Sequence, residues 1–174
     1  MNIPTREECL ELLKQNKVPE QIQNHCKTVN KVAVFLAKKL KEKDIDINVG
    51  LVDAASLLHD VGRTGEKEKY PRLKHPIEGY NRLKEKYPEI AGIIKVHDLL
   101  NVNDVKSWEE KIVNYADKRA WENIIVTMKK RIASVEKRYG FILPETIKQK
   151  YIQLEKQIFD IIGIEPDELG EHIE

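Results

Sequence analysis

Apolar positions recur at intervals of three and four residues along almost the whole chain, the spacing that gathers them on one face of an α-helix. "TREECLELLKQN" opens with Thr5 and Glu8 at capping-box spacing and places Cys9, Leu12 and Leu13 on one side. "VPEQIQNHCKTVNKVAVFLAKKLKEK" carries a long stripe of Ile22, Cys26, Val29, Val32, Ala33, Leu36 and Leu40, with Pro19 near its first turn. "NVGLVDAASLLHDVG" is apolar nearly all round, as a central helix should be, and Gly62 suits its C-terminal stop. The polar stretch "RTGEKEKYPRLK", broken by Gly65 and Pro71, reads as a loop.

"HPIEGYNRLKEKY" then starts a helix with Pro76 at its first position and His75 at the cap. "PEIAGIIKVHDLL" holds Ile90, Ile93, Ile94 and His97 at helical spacing, and "NVNDVK" follows as a loop. Ser107 and Glu110 form a second capping box at the head of "SWEEKIVNYADKRAWEN", whose inner face is Val113, Ala116, Asp117 and Ala120. Two amphipathic segments close the chain. "MKKRIASVEKR" puts Ile132 and Val135 on one side and its basic residues on the wet face. "PETIKQKYIQLEKQIFDIIG" has the stripe Ile147, Tyr151, Leu154, Ile158 and Ile161, a core face rather than a dimer seam. No segment alternates convincingly as a strand, and no repeat or linker divides the chain. The pattern predicts an all-α helical bundle, one domain over residues 1–174.

Composition narrows the functional classes. Thirty Lys and Arg against 29 Asp and Glu leave a formal charge of +1, so no global field draws the chain to nucleic acid or anionic lipid. No apolar run approaches a membrane span, and the N-terminus lacks a signal-peptide pattern, so a cytoplasmic protein with no membrane partner is expected. Cys9 and Cys26, each on a helical segment, read as reduced thiols.

Against this background a few polar residues stand on faces that should be dry: His25, the adjacent His59 and Asp60, and Asp117, each group on a different helix. A lone His or Asp in such a place is ordinarily a core group satisfied by a hydrogen bond. An adjacent pair with counterparts on other helices favours a shared ion, because an unpaired buried carboxylate is costly. Two imidazoles and two carboxylates carry a charge that offsets a divalent cation and leave octahedral positions for water and substrate.

His25, then "HD" at 59 and 60, then Asp117 in "NYADKRA" resemble the H…HD…D signature of the HD-domain metal-dependent phosphohydrolases, in order, spacing and helical context. "LLHDVGR" and "YADKR" are similar to that family's motif segments, and the resemblance spans roughly residues 20 to 120, with extra helices at both ends. It implies an HD-domain-like helical bundle with additional C-terminal helices, as in small stand-alone prokaryotic-type members. Two-metal members add histidines where His75 and His97 stand, so the resemblance implies an inner ion on His25, His59, Asp60 and Asp117, and an outer one on Asp60, His75 and His97. From the residues alone, His75 also reads as a surface cap and His97 as a core histidine.

The implied activity is hydrolysis of a phosphoester or phosphoanhydride, in a small phosphorylated molecule such as a nucleotide, by hydroxide formed on divalent metal ions, two per chain, drawn from Fe, Mn, Co, Ni or Mg. Asp60 is the central catalytic group. Arg63 and Lys118 are candidates to offset charge on the phosphate, although either reads equally well as an ordinary solvated charge. A nucleic-acid partner is not expected, since aromatic residues do not interleave with the bases. Two other classes share the resemblance: di-iron oxygenases with the same six ligands, and non-enzymatic HD-like interaction modules, which lack ligands.

Overall fold

A computed structural model describes residues 1–63 and 71–173, with side chains for all of these but 71–73 and 139. Helices and their connecting turns make up the described residues apart from one small hairpin. In chain order the helices are α1 (Arg6–Gln15), α2 (Glu20–Lys41), α3 (Val49–Leu58), α4 (Pro71–Leu83), α5 (Pro88–Lys95), α6 (Trp108–Lys118), α7 (Met128–Tyr139), α8 (Glu145–Ile162) and α9 (Leu169–Ile173). Between α6 and α7 lies the hairpin of β1 (Ala120–Trp121) and β2 (Ile124–Ile125), and 3-10 turns cover Leu99–Asn103 and Pro166–Glu168. Both capping boxes form, Thr5 with Glu8 and Ser107 with Glu110, each satisfying two helix-end donors.

Helix α2 is the axis of the molecule. One side of it, from Cys26 through Val29, Ala33 and Leu36 to Leu40, is fully buried, and α3, α6 and α8 pack around it. Helix α3 is dry on nearly every side, which its sequence required. The stripe on α8 (Ile147, Tyr151, Leu154, Ile158) is likewise buried. No helix among the described residues is long and apolar enough to cross a membrane.

Several boundaries differ from the sequence reading, and the differences fall around the polar cluster. Helix α3 ends at Leu58, so His59 is its C-cap and Asp60 to Gly62 form a tight turn, closed by Val61 N–H to Leu58 C=O at 2.9 Å and Arg63 N–H to Asp60 C=O at 2.9 Å. Helix α4 begins at Pro71, not Pro76. The first proline takes the helix start, Pro76 sits inside the helix, and His75 is a mid-helix residue rather than a cap. Most of the expected preceding loop, residues 64–70, lies outside the described residues. Helix α5 stops at Lys95, leaving His97 in the break before Leu99–Asn103, a segment expected to be partly helix and partly loop.

The absence of strands was also wrong in detail. Helix α6 ends at Lys118, and β1 and β2 pair antiparallel through Ala120 with Ile125 and Trp121 with Ile124. Glu122, in the left-handed region at φ 55°, makes the turn. Arg119 anchors this corner. It is 1 % exposed, its Nε donates to Val126 C=O at 2.7 Å, and its Nη atoms donate to Tyr115 Oη at 2.5 Å, Glu155 at 3.2 Å and Pro166 C=O at 2.7 Å. One guanidinium thus ties α6 to the hairpin, α8 and the C-terminal turn. Such a demand for carbonyl acceptors cannot be met by a helix that simply runs on.

Candidate metal centre

Five parts of the fold deliver six side chains to one place. His25 comes from α2, His59 and Asp60 from the end of α3, His75 from α4, His97 from the break after α5, and Asp117 from the last turn of α6. All six are buried. His25 Nε2 lies 2.9 Å from Asp117 Oδ1, and His59 Nε2 lies 3.7 Å from both Asp117 Oδ1 and Asp60 Oδ2. His75 Nε2 is 3.2 Å from Asp60 Oδ1 and 3.1 Å from His97 Nε2, itself 3.6 Å from Asp60 Oδ1. The imidazoles meet edge to face in a chain, His25 on His59, His59 on His97 and His97 on His75, at centroid separations of 5.1–5.3 Å.

The backs of two rings are fixed. His59 Nδ1 donates to Ser56 C=O at 2.8 Å, and His97 Nδ1 donates to Ile94 C=O at 2.6 Å. That leaves each Nε2 as a bare lone pair turned into the cluster, the tautomer a metal ligand needs. His59 Nε2 is sealed from solvent and has no hydrogen-bond partner. A buried acceptor facing five other donors, with nothing to accept from, is the residue pattern of a cation site. Three overlapping groups have donor atoms mutually within 4.8 Å: His25 with His59 and Asp60, His59 with His97 and Asp117, and Asp60 with His75 and His97. Buried His and Asp groups of this kind can hold metal ions.

The electrostatics point the same way. Burial drives the His59 ring down to about 3, against the pull of the neighbouring Asp60 and Asp117 carboxylates, so it is neutral and able to ligate. Burial alone would push Asp60 up. The Arg63 guanidinium, with the hydrogen bond from His75, outweighs it and holds the carboxyl well below its usual range. Asp117 is likewise raised by burial but held well below by Lys118, His25 and His59. Cys26, in the core near Asp60, has its thiol pushed well up by burial and stays protonated.

Arg63 and Lys118 take different places. Arg63 is partly exposed, and its Nε donates to Asp60 Oδ1 at 2.8 Å. Lys118 is buried at 4 % exposure, donating to Asp117 and, at 3.1 Å, to His97 C=O. It is therefore not an ordinary solvated charge, and it stands behind Asp117 rather than in the open cavity. That cavity, of about 620 Å³, opens beside the cluster and is lined by His25, Asp60, Arg63 and Asp117 on one side. His172, the fifth histidine, lies away from it, stacked on Phe35.

The supporting groups were not foreseen from sequence. Asn30, 2 % exposed on α2, donates to Asp53 and to Ser56 Oγ at 2.9 Å, steadying the turn whose carbonyl orients His59. Asn114 donates to Val96 C=O at 3.0 Å and Asp98 C=O at 3.1 Å, while the Tyr151 hydroxyl lies 2.8 Å from Asn114 Oδ1 and 3.1 Å from Leu99 C=O. With Lys118 they bind every carbonyl from Val96 to Leu99, which is how a non-helical stretch holds His97 still. Their one sequence signal was a polar residue on a face otherwise apolar, as with Asn30 one helical turn from Cys26 and Ala33.

Comparison with known proteins agrees with this geometry. The HD domain profile matches residues 22–122. The chain is 31 % identical over 152 residues to a tRNA (cytidine(56)-2'-O)-methyltransferase of Picrophilus torridus, covering 78 % of this chain and 42 % of that protein. It is 27 % identical over 184 residues to the enzyme of the same name from Thermoplasma volcanium, covering 96 % of this chain and 50 % of that protein. An uncharacterized protein of Methanocaldococcus jannaschii is 31 % identical over 150 residues, covering 77 % of this chain and 86 % of its own length. The chain therefore spans about half the length of the two methyltransferases it matches. No solved structure matches.

Proposed function

The chain belongs to the HD-domain family, and from that premise we propose that it is a metal-dependent hydrolase of a phosphoester or phosphoanhydride bond, acting on a nucleotide. The observation that carries this reading is the orphaned Nε2 of His59, aimed into a ring of imidazole and carboxylate donors beside an open cavity. His25, His59, Asp60 and Asp117 would hold one divalent ion; Asp60, His75 and His97 would hold a second, with Asp60 shared. Bound ions of this type acidify water to near neutral pH and offset charge on phosphoryl oxygens.

The chain's own residues do the rest. Ser56 and Ile94 carbonyls lock the His59 and His97 imidazoles in the ligating tautomer. Arg63, at the cavity wall and tethered to Asp60, is placed to meet a phosphate oxygen when that carboxylate turns to a cation. Lys118 acts through Asp117 and the His97 carbonyl, positioning both without reaching substrate. The buried imidazole cluster keeps bulk water from the inner side, so the substrate approaches from the cavity.

Elemental analysis of purified protein, followed by a phosphate-release screen over nucleotides with Mn, Fe, Co, Ni and Mg, tests the reading. Absence of any bound or activating metal rejects it.

A second reading follows from the two named methyltransferases, which this chain matches over most of its own length. It places the phosphorylated substrate within tRNA. Release of phosphate from an RNA fragment, and from no free nucleotide, would favour it.

A further inference from the structure

The cavity beside the metal donors has a second wall, which the phosphohydrolase reading does not use. It is built from α7 and the hairpin. Residues 131, 134, 135 and 138, one helical face at i, i+3, i+4 and i+7, line it, with Lys137 beside them and Trp121 at the hairpin corner. The sequence reading gave these bases to a wet outer face of α7, with Ile132 and Val135 inward. The fold buries Val135 as that reading had it and leaves Lys137 and Arg138 exposed, but Arg131 and Arg138 also line the metal crevice. Helix α7 also lies beyond residues 22–122, so the helical part of this wall is added to the part of the chain that matches the family.

Two features give the wall a ligand. Arg131 Nε is shielded from solvent and has no hydrogen-bond partner. A guanidinium donor left in that state awaits an acceptor, and planar guanidinium groups suit phosphate oxygens. Trp121, 42 % exposed, offers an aromatic face at the rim. Among the described residues, this part of the cavity is lined by three basic side chains, Arg131, Lys137 and Arg138, and one carboxylate, Glu122. Seven helical residues separate the two arginines along the axis by about 10 Å. A cavity of about 620 Å³ is of the size that encloses a nucleotide-sized ligand.

We propose that this wall is a subsite for a second phosphate, so that the substrate is a nucleotide bearing two separated phosphate groups. One lies at the metal donors, the other on Arg131 and Arg138, with the base against Trp121. This rests on the phosphohydrolase reading for the first phosphate and adds the second. The chemistry is the same whether the second phosphate belongs to a free nucleoside bisphosphate or to the next linkage of an RNA chain.

Calorimetric titration of manganese-loaded protein tests it, with a nucleoside 5'-monophosphate, the matching 3',5'-bisphosphate and a 5'-phosphorylated RNA trimer. The bisphosphate should bind about tenfold tighter than the monophosphate, the worth of one charge-assisted contact. Arg131→Ala should bring the two within about twofold of each other while metal content stays at the wild-type value, and Arg131→Lys should restore part of the difference. Trp121→Ala should weaken all three ligands by about tenfold through lost stacking. A trimer that binds tighter than the bisphosphate, with that gain lost in Arg131→Ala, supports the subsite and assigns its phosphate to RNA. A gain kept in Arg131→Ala overturns it, as does equal affinity of the wild type for mono- and bisphosphate. Phosphate release is scored separately. Preference for the bisphosphate without release sinks the hydrolase reading and leaves the subsite, whereas release without preference sinks the subsite alone.

Discussion

A β-carbon on Gly62 would stand 2.1 Å from the backbone carbonyl oxygen of His75. The turn after the His59–Asp60 pair and the helix that carries His75 are therefore in backbone contact, and their donors share one origin. Gly62→Ala must push the two apart. The expected cost is about 1–3 kcal/mol of stability, the usual penalty of overpacking, together with loss of metal from the His75 side of the cluster. Gly79→Ala should cost less, because the nearest atom to its new methyl, at 2.9 Å, is Ile94 Cγ2, the movable end of a side chain. Urea midpoints and metal content for the two variants, compared side by side, check the order; equal penalties would mean that the Gly62 approach does not set the geometry.

In the proposed two-ion arrangement His75 and His97 hold the outer ion and Asp60 alone is shared with the inner one, so their removal should be selective. His75→Ala and His97→Ala are each expected to lower metal content from about two ions per chain to about one, with the fold intact. His25→Ala should disturb both sites and lower the melting temperature, since His25 brings α2 to Asp117 of α6. Plasma emission measurements on dialysed variants give the count, and a wild-type count of one would remove the outer site.

Arg63 and Asp60 should separate in their effects despite their 2.8 Å contact. Asp60→Ala is expected to remove metal binding and turnover together, because two of the three overlapping donor groups lose the carboxylate they share. Arg63→Ala should keep its metal and turn over at least about tenfold more slowly, the loss of one charge-assisted contact to phosphate. Wild-type turnover by Arg63→Ala on every accepted substrate would exclude that role.

Acid should weaken the metal-free protein in a definite window. The His59 ring titrates at about 3 in the fold against 6.5 when free, so between those values the unfolded chain holds more protons and stability rises with pH. Its contribution is therefore whole above pH 6.5 and drains away below it, with a slope reaching about 1.4 kcal/mol per pH unit. Asp60 and Asp117, held well below 3.8, add a loss of the same sign at lower pH, as acid approaches their folded values. Urea midpoints of metal-free protein at pH 7, 5.5 and 4.5 should fall in that order, and a flat series would show that His59 is not buried neutral.

The elements with strong apolar periodicity were legible from sequence, because burial and helical spacing are one signal there: the long stripe of α2 and the dry α3 form as the pattern required. The same logic exposed His25, His59, Asp60 and Asp117 as polar residues in the wrong place, and the structure gathers them. What escaped depended on contacts between distant segments. Two prolines could each start α4, and nothing local says that Pro71 wins over Pro76. His97 is held by α6 and α8 side chains that bind carbonyls on either side of it, a demand invisible in "IIKVHD". Periodicity identified Val135 as inward but could not say that α7 sits with Arg131 and Arg138 over a cavity rather than open water.

The two residues in closest contact across the cluster, His25 and Asp117, are 92 positions apart in the chain. At ordinary rates of synthesis the ribosome needs about 5–20 s to travel that distance. Through that interval the histidine of α2 waits, the pair after α3 joins it part-way, and the set of His25, His59, Asp60 and Asp117 stays incomplete. The centre closes only once α6 has emerged and folded back. Uptake of the inner ion is then a report that the polypeptide is finished to that point, and a ribosome stalled before residue 117 would carry a chain whose inner site metal cannot complete.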